Sequence, residues 1–304
     1  MSASAETPSP FVSIETERQM TCSVMITTRN RAGGLRRTCR ALRGLNPPPL
    51  EILITADGCT DDTVAVVNRE LPKAKVIVNE IGRGSVASRD RMMREARGDL
   101  VLALDDDSYP EEFDCIAKCV PLFEQRPKLA VMHFPQRTDE YPETLVETNF
   151  GPQRLTRSFA NSGAVLRRST YLELPGFESI FFHMYEEPDY ALQCIANGWD
   201  VLYFPHIIIR HHYTGKERSE IHNHHRHARN EMWSTLMRCP FPFAVAIAAW
   251  RVCSQFGYAY KRGWSWIIRE PFWWWEAVKG LPAALRKRRP VSWSSYKRWL
   301  KLSV

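Results

Sequence analysis

The sequence predicts an α/β fold: an open, mixed but mostly parallel sheet flanked by helices, followed by a C-terminal helical appendage rich in tryptophan and basic residues. Three observations carry this reading. Strand, polar loop and helix alternate three times before a fourth strand, the pattern of a parallel sheet with helices on both faces. The fourth strand, Val101-Leu102-Ala103-Leu104, runs directly into Asp105-Asp106-Asp107-Ser108, three carboxylates with no basic residue between them. Composition then breaks near residue 240. Beyond it twelve Lys/Arg stand against two Glu, and eight of the ten Trp lie there, whereas the first 240 residues carry 29 Lys/Arg against 32 Asp/Glu.

Residues 1–19 are rich in Ser, Thr, Glu and Pro and read as a disordered tail. Cys22 to Thr28 is the first strand. It ends in the polar loop Arg29-Asn30-Arg31, and a helix follows through Leu45, stopped by Pro47-Pro48-Pro49. Leu50 to Thr55 is the second strand, opening into Ala56-Asp57-Gly58-Cys59-Thr60-Asp61-Asp62-Thr63, where Thr60 or Asp61 can cap the next helix. Lys75 to Val78 is the third, and Gly82-Arg83-Gly84-Ser85 opens a helix carrying Arg89, Arg91 and Arg94. After the fourth strand a helix is expected from Glu112 to Glu124 and a strand from Leu129 to Phe134. Residues 135–156 are polar and poorly patterned, a candidate loop over a site. Ser162 to Arg168 reads as a loop entering a strand, and Leu174-Pro175-Gly176-Phe177 as a turn. Glu186-Glu187-Pro188-Asp189-Tyr190 precedes a helix over Ala191–Asn197, closed by Gly198. Val201–Pro205 and Ile207–Ile209 are strands, with Arg210-His211-His212-Tyr213 at the exit of the second.

The carboxylate triplet has a physical consequence. Adjacent anions repel, so a fold holds them together only if a cation offsets them. Residues i and i+2 at a strand end lie on one side, so Asp105 and Asp107 can converge on one ion. Oxygen ligands of this kind suit Mg2+ or Mn2+ shared with substrate phosphates. In open α/β sheets ligands sit beyond the carboxyl ends of the strands, where Thr27 to Arg31, Asp57 and Asp105 to Asp107 are all expected.

The eight cysteines form no CxxC pair and no regular framework, which reads as reduced thiols in a cytosolic protein. The chain shows neither a basic start followed by an apolar run nor about 18 uninterrupted apolar residues. A cytoplasmic protein is therefore expected.

With these landmarks in place, the chain resembles the family 2 glycosyltransferases, which have the GT-A fold, a Rossmann-like arrangement for nucleotide-diphospho-sugar donors. The resemblance covers roughly residues 20–230, with a helical region over 231–304. Ser23 to Arg31 is similar to the family's opening strand and nucleotide loop, placing Thr27 and Arg29 on the donor. Ala56 to Thr63 resembles the second loop, whose aspartate, here Asp57, usually meets a uracil or thymine base. Leu104-Asp105-Asp106-Asp107-Ser108 resembles the DxD metal motif. Gly176-Phe177 followed by Glu186-Glu187-Pro188-Asp189 resembles the acceptor-side segment with the catalytic base. Two departures stand out: Thr27 is often Pro in the family, and the base is usually Asp, one methylene shorter than Glu187.

The resemblance implies an inverting transfer from a UDP- or dTDP-linked sugar to a hydroxyl of a glycan or lipid-linked acceptor. Asp107, helped by Asp105, would hold Mg2+ or Mn2+, with His211 or His212 as a third ligand. Asp105 is also expected near the donor ribose or a metal-bound water, and Asp106 on the donor side orienting the loop. Glu187 is the expected base, with Glu186 and Asp189 toward the acceptor. Arg83 and Arg89 are candidates for the donor diphosphate or base. The cluster His222, His224, His225 and His227 lacks a zinc pattern and reads as a basic helix face.

The C-terminal tryptophans beside basic residues suit an anchor on an anionic membrane, at the cytosolic face where a lipid-linked acceptor lies. The competing reading is a small helical subdomain packed on the main domain. Nucleic-acid binding fits poorly with a net acidic catalytic part. Two other functions compete. A nucleotidyltransferase would want a Gly-rich basic loop directly after the first strand. A non-catalytic membrane adaptor would not need Asp105 to Asp107 and Glu187.

Overall fold

A computed structural model describes residues 19–214 and 219–303. The tail expected over 1–19 lies outside this range except for residue 19. Strand β1 (Cys22–Thr28) is followed by α1 (Ala32–Leu42), β2 (Glu51–Asp57), α2 (Thr63–Glu70), β3 (Lys75–Asn79), α3 (Ser85–Glu95) and β4 (Leu100–Asp105). Then come β5 (Ser108–Pro110), α4 (Cys115–Gln125), β6 (Leu129–His133), β7 (Gln136–Thr138), β8 (Arg154–Leu155), β9 (Ala164–Arg167), α5 (Arg168–Glu173) and α6 (Glu186–Ala196). The remaining elements are β10 (Asp200–Tyr203), β11 (Ile209–His211), α7 (Glu220–Arg238), α8 (Phe243–Arg262), α9 (Trp264–Ile267), α10 (Glu270–Arg286) and α11 (Trp293–Lys301).

The main sheet runs β3-β2-β1-β4-β9-β6-β10-β8. Its pairings are parallel except where β9 meets β4 and β6 and where β8 meets β10. Side chains alternate between two apolar cores, one on each face. Val24, Ile26, Leu100, Leu102 and Leu104 join Leu35, Cys39 and Phe123 from α1 and α4. Met25, Val101 and Ala103 join Val86, Met92 and Tyr190 from α3 and α6. Burial on both faces is why β1 and β4 read as unbroken apolar runs.

Several boundaries differ from expectation. Helix α4 starts at Cys115, not Glu112, because the preceding residues are tied to the chain before β11: the Glu111 N–H donates to the Ile208 carbonyl and Glu112 accepts from the Ile208 N–H. Helix α6 starts at Glu186, five residues before Ala191, since a proline within the first turn costs no intrahelical hydrogen bond. The strand expected at Ile207–Ile209 is shifted to Ile209–His211. It belongs to a separate three-stranded sheet, β5-β11-β7, so His211 lies within a strand instead of beyond one. Residues 135–156 supply β7 and β8.

Helix α7 is continuous across residues 230 and 231, where a change of region was expected. One of the two cores runs on through Trp233, Met237, Tyr296 and Trp299, so α7 and α11 pack directly on the sheet-bearing part. Asp189 of α6 and Arg238 of α7 make the most buried charged contact between them. Arg238 donates to Asp189 at 2.9 and 3.0 Å and to Glu178 at 2.9 Å, with side-chain exposures of 1% for Arg238 and Asp189. Removing the cation would leave the buried Asp189 carboxylate without its counter-charge, while Glu178 would keep Lys287 at 2.9 Å. Arg238→Ala should lower unfolding stability by about 3–5 kcal/mol, read as a lower midpoint in urea. An unchanged midpoint would show the pair to be energetically idle.

Candidate active site

The carboxyl ends of β1, β2 and β4 share one edge, because Thr27 pairs beside both Thr55 and Asp105. Thr27 itself is half-buried at that edge. The Asp57 carboxylate is buried and already busy. It accepts from Asn79 Nδ2 at 2.7 Å, from the Arg83 N–H at 2.9 Å and from the Gly84 N–H at 2.8 Å. It thereby fastens the turn Gly82–Gly84 to the end of β2. Gly58, at φ +70°, permits this: a Cβ there would lie 2.7 Å from the Gly82 nitrogen. A carboxylate offers about four lone-pair sites, and these three bonds use three of them. Arg29 and Arg83 flank the same turn at the surface, with an Arg29 guanidinium nitrogen lying over Gly82.

The carboxylate triplet divides into different environments. Asp106 is buried; it accepts from Thr28 Oγ1 at 2.7 Å, and from Arg31 at 3.2 Å. Burial pushes its pKa up to about 6, against the pull of Arg31. Asp106 thus secures the loop from beneath, and nothing in its bonding reaches toward a donor. Asp107 lies 2.8 Å from Arg31 Nη1 and 3.1 Å from His211 Nε2. Asp105, the most exposed of the three, is 2.5 Å from Arg89 Nη2.

Arg31 and Arg89 therefore supply protein cations for the triplet. Arg31 was not singled out by sequence, where the cation needed beside three carboxylates was read as a divalent metal; the basic loop after β1 is the signal that could have found it. Arg89 was expected on the donor. Instead its guanidinium, 7% exposed, is spent on two carboxylates, Asp105 and Glu186 Oε1 at 2.7 Å.

Of the two histidines, His211 joins the cluster. Gln136 Oε1 lies 3.0 Å from His211 Nδ1, and Gln136 Nε2 donates to Ser162 Oγ at 2.6 Å, which orients the amide. The proton then belongs on Nδ1, which leaves Nε2 as the nitrogen that could serve as a ligand. His212 is turned away: its Nε2 is 3.0 Å from the Tyr109 hydroxyl and its Nδ1 3.5 Å from Asp139. One oxygen each from Asp105 and Asp107 and a His211 nitrogen all lie within 4.8 Å of one another. Ligands about 2.1 Å from a common small divalent ion are spaced by roughly 3–4 Å, so this donor set fits such an ion with little adjustment. Two carboxylate oxygens and an imidazole suit Mg2+ or Mn2+.

The first turn of α6 brings the acids Glu186, Glu187 and Asp189. Glu186 is buried and accepts from Arg89 and from Asn161 Nδ2 at 3.3 Å. Glu187 is half-buried, 3.5 Å from the Asn161 N–H. Burial and the neighbouring Glu186 push its carboxyl up to about 8, partly opposed by Arg89. Asp189 was expected beside the acceptor. Two residues on from Glu187 the helix has turned by about 200°, and both Asp189 oxygens bond Arg238, Ser234 and Gln193 instead. Asn161, in a turn, and Gln136, at the start of the short strand β7, were missed by sequence, since single amides carry no pattern.

Residues 23–197 match the model of glycosyl transferase family 2. The chain belongs to that family. It is thus a glycosyltransferase, and the nucleotidyltransferase and adaptor readings are set aside. No curated protein sequence matches the chain. Solved structures similar to this family 2 chain are glycosyltransferases of the GT-A fold. Staphylococcus aureus TarS 1-349 in complex with UDP-GlcNAc is 15% identical, with a TM-score of 0.61 over 88% of this chain and 82% of that one. A mannosyltransferase from Pyrobaculum calidifontis, in complex with GDP-Man and Mn2+, is 16% identical, with a TM-score of 0.57 over 93% and 79%. GalNAc-T7 with UDP, GalNAc and Mn2+ is 14% identical, with a TM-score of 0.60 over 74% of this chain; the match spans 49% of GalNAc-T7, about half its length. At these identities the likeness is one of fold.

Proposed function

We propose that this family 2 enzyme moves a sugar from a UDP- or dTDP-linked donor to a hydroxyl of a glycan or lipid-linked acceptor, with inversion, in cell-surface polysaccharide or glycolipid synthesis. The observation that carries the reading is Arg89, whose one guanidinium binds both Asp105 of the metal-type cluster and Glu186 of the acid-rich helix start. Donor-side and acceptor-side groups therefore meet across a single side chain. Asp105, Asp107 and His211 would hold Mg2+ or Mn2+, which when bound offsets the negative charge growing on the leaving diphosphate. Asp57 fixes the turn against which the base would rest. Glu187 takes the proton of the acceptor hydroxyl as its oxygen attacks the anomeric carbon and the bond to the diphosphate breaks. A carboxylate whose pKa is raised toward neutrality is a better proton acceptor than an ordinary one. Arg89 holds Glu186 in place beside it.

A panel of sugar nucleotides with Mn2+ tests the assignment. Release of UDP or dTDP is expected. Release of pyrophosphate, or no product from any donor, would overturn it.

The C-terminal helices support docking on the cytosolic face of an anionic membrane. Trp273 and Trp299 are buried, as the packed-subdomain reading requires, and His224 is buried too, 2.9 Å from Glu270, instead of lying on a solvated basic face. Trp250, Trp264, Phe272 and Trp275 nevertheless remain 61–74% exposed on α8, α9 and α10. Aromatic residues interleaved with Lys261, Arg262, Arg269 and Lys279 fit a headgroup interface. No helix among the described residues is long and apolar enough to cross a membrane. The double variant Trp264→Ser/Trp275→Ser should reduce co-sedimentation with phosphatidylserine vesicles at least about tenfold, since each ring buries substantial apolar area. Undiminished binding would remove this part of the proposal.

A further inference from the structure

Residues 182–185, which lead into α6 and lie against Gly84, are backbone-strained. Phe182, Met184 and Tyr185 have φ of +63°, +73° and +73°, left-handed values that are costly for side chains of this size. Tyr185 is the residue immediately before Glu186 and Glu187, so its conformation sets the direction in which α6 begins. Such a conformation persists only where its surroundings over-determine it.

Those surroundings converge on Asn230. This side chain is fully buried in α7. The two hydrogens of its Nδ2 are shared among the carbonyls of Phe181 at 3.0 Å, His183 at 2.9 Å and Met184 at 2.8 Å. Arg229 Nε donates to Asn230 Oδ1 at 3.1 Å, which settles which end of the amide is which. The remaining carbonyl of the run, that of Phe182, accepts from the Val86 N–H at 3.2 Å at the start of α3. Gly84 must lack a side chain here, because a Cβ would lie 2.2 Å from the Phe182 oxygen. His183 is pinned as well, with Nδ1 2.8 Å from Ser85 Oγ.

We propose that Asn230 is a positioning residue for catalysis: it gathers three carbonyls of the turn, those of Phe181, His183 and Met184, and so aims Glu186 and Glu187 at the Asp105–Asp107 cluster. This rests on the reading of Glu187 as the base. It makes α7, which follows the matched family region, part of the machinery that sets the geometry of transfer. Asp57 holds the Gly82–Gly84 turn by its own bonds, so the donor side does not depend on Asn230.

Asn230→Ala tests the proposal, with Ser234→Ala as a control on the same helix; Ser234 bonds Asp189 and does not touch the turn. Asn230→Ala should lower kcat for nucleoside diphosphate release about 10–100-fold, the scale of a misplacement near 1 Å. Affinity for UDP–Mn2+ or dTDP–Mn2+, whichever the donor panel returns, should stay within about threefold. Hydrogen exchange should speed up at residues 182–187 and at the Val86 amide while the main sheet keeps its protection. Ser234→Ala should keep wild-type kcat. If Asn230→Ala yields no folded protein, Asn230→Ser, which restores one donor, should show the same split in weaker form. Wild-type kcat in either Asn230 variant, or equal losses of kcat and nucleotide affinity, would overturn the inference. Failure of the base reading is seen separately: Glu187→Gln would then turn over normally whatever Asn230 does.

Discussion

Asp107→Ala should lower kcat by about a thousandfold or more, since the charge developing on a leaving diphosphate is worth several kcal/mol to a well-placed divalent ion. Three features single out Asp107. It is buried, it faces His211 Nε2 at 3.1 Å, and with Asp105 and His211 it forms the one such donor cluster found among the described residues. A readout independent of turnover is the free Mn2+ signal in electron paramagnetic resonance. Wild-type protein should deplete it, and Asp107→Ala should not. His211→Ala should weaken Mn2+ uptake in the same assay, whereas His212→Ala, on the far side beside Tyr109, should leave it unchanged. Normal turnover and Mn2+ uptake in Asp107→Ala would sink the metal assignment.

Glu187→Gln should lose transfer by about 10²–10⁴-fold, the usual contribution of a general base, while binding the donor nucleotide normally. The amide keeps the size and position of the carboxylate and removes only its capacity to take a proton. The sign of the pH dependence follows from the environment. Burial and Glu186 disfavour a charged Glu187, so its pKa is raised. The base works only when deprotonated. In wild type, kcat/KM should therefore rise with pH through a midpoint well above the ordinary carboxylate range, and activity should fall as the medium is acidified through it. Glu187→Gln should lack that limb. Glu187→Asp, which restores the acid usual in the family, should recover part of the rate. An unshifted acid limb near pH 4.5, or full activity in Glu187→Gln, would remove Glu187 from the role.

Strands β1, β2 and β4 were legible because their central residues are buried on both faces and so must be written in consecutive apolar residues; β3, at the sheet edge with Val78 exposed, is marked only by the short run Val76-Ile77-Val78. The carboxylate triplet stood out because adjacent anions repel and need a cation, whereas the acids at the start of α6 follow a pattern common to helix N-termini and were singled out only by the family resemblance. Less could be read after residue 134. Strand β11 is three residues long and two of them are polar, so its apolar neighbours Ile207 and Ile208 drew the boundary the wrong way. The bonds of Asp189 were illegible for a different reason. Its partner Arg238 is 49 residues away, and no local rule announces a buried ion pair at that distance.

Chain order by itself determined the alternation, and hence which loops gather at the carboxyl edge of the sheet, because side-chain period and strand polarity are local properties. Which charges neutralise one another was decided only in three dimensions. Arg31 serves Asp106 and Asp107, Arg89 joins Asp105 to Glu186, His211 and not His212 faces the cluster, and Asn230 holds a left-handed turn from another helix. Those pairings depend on distances of a few ångströms between residues far apart in sequence, and electrostatic and hydrogen-bond energies are set by such distances and by burial, neither of which a linear string contains.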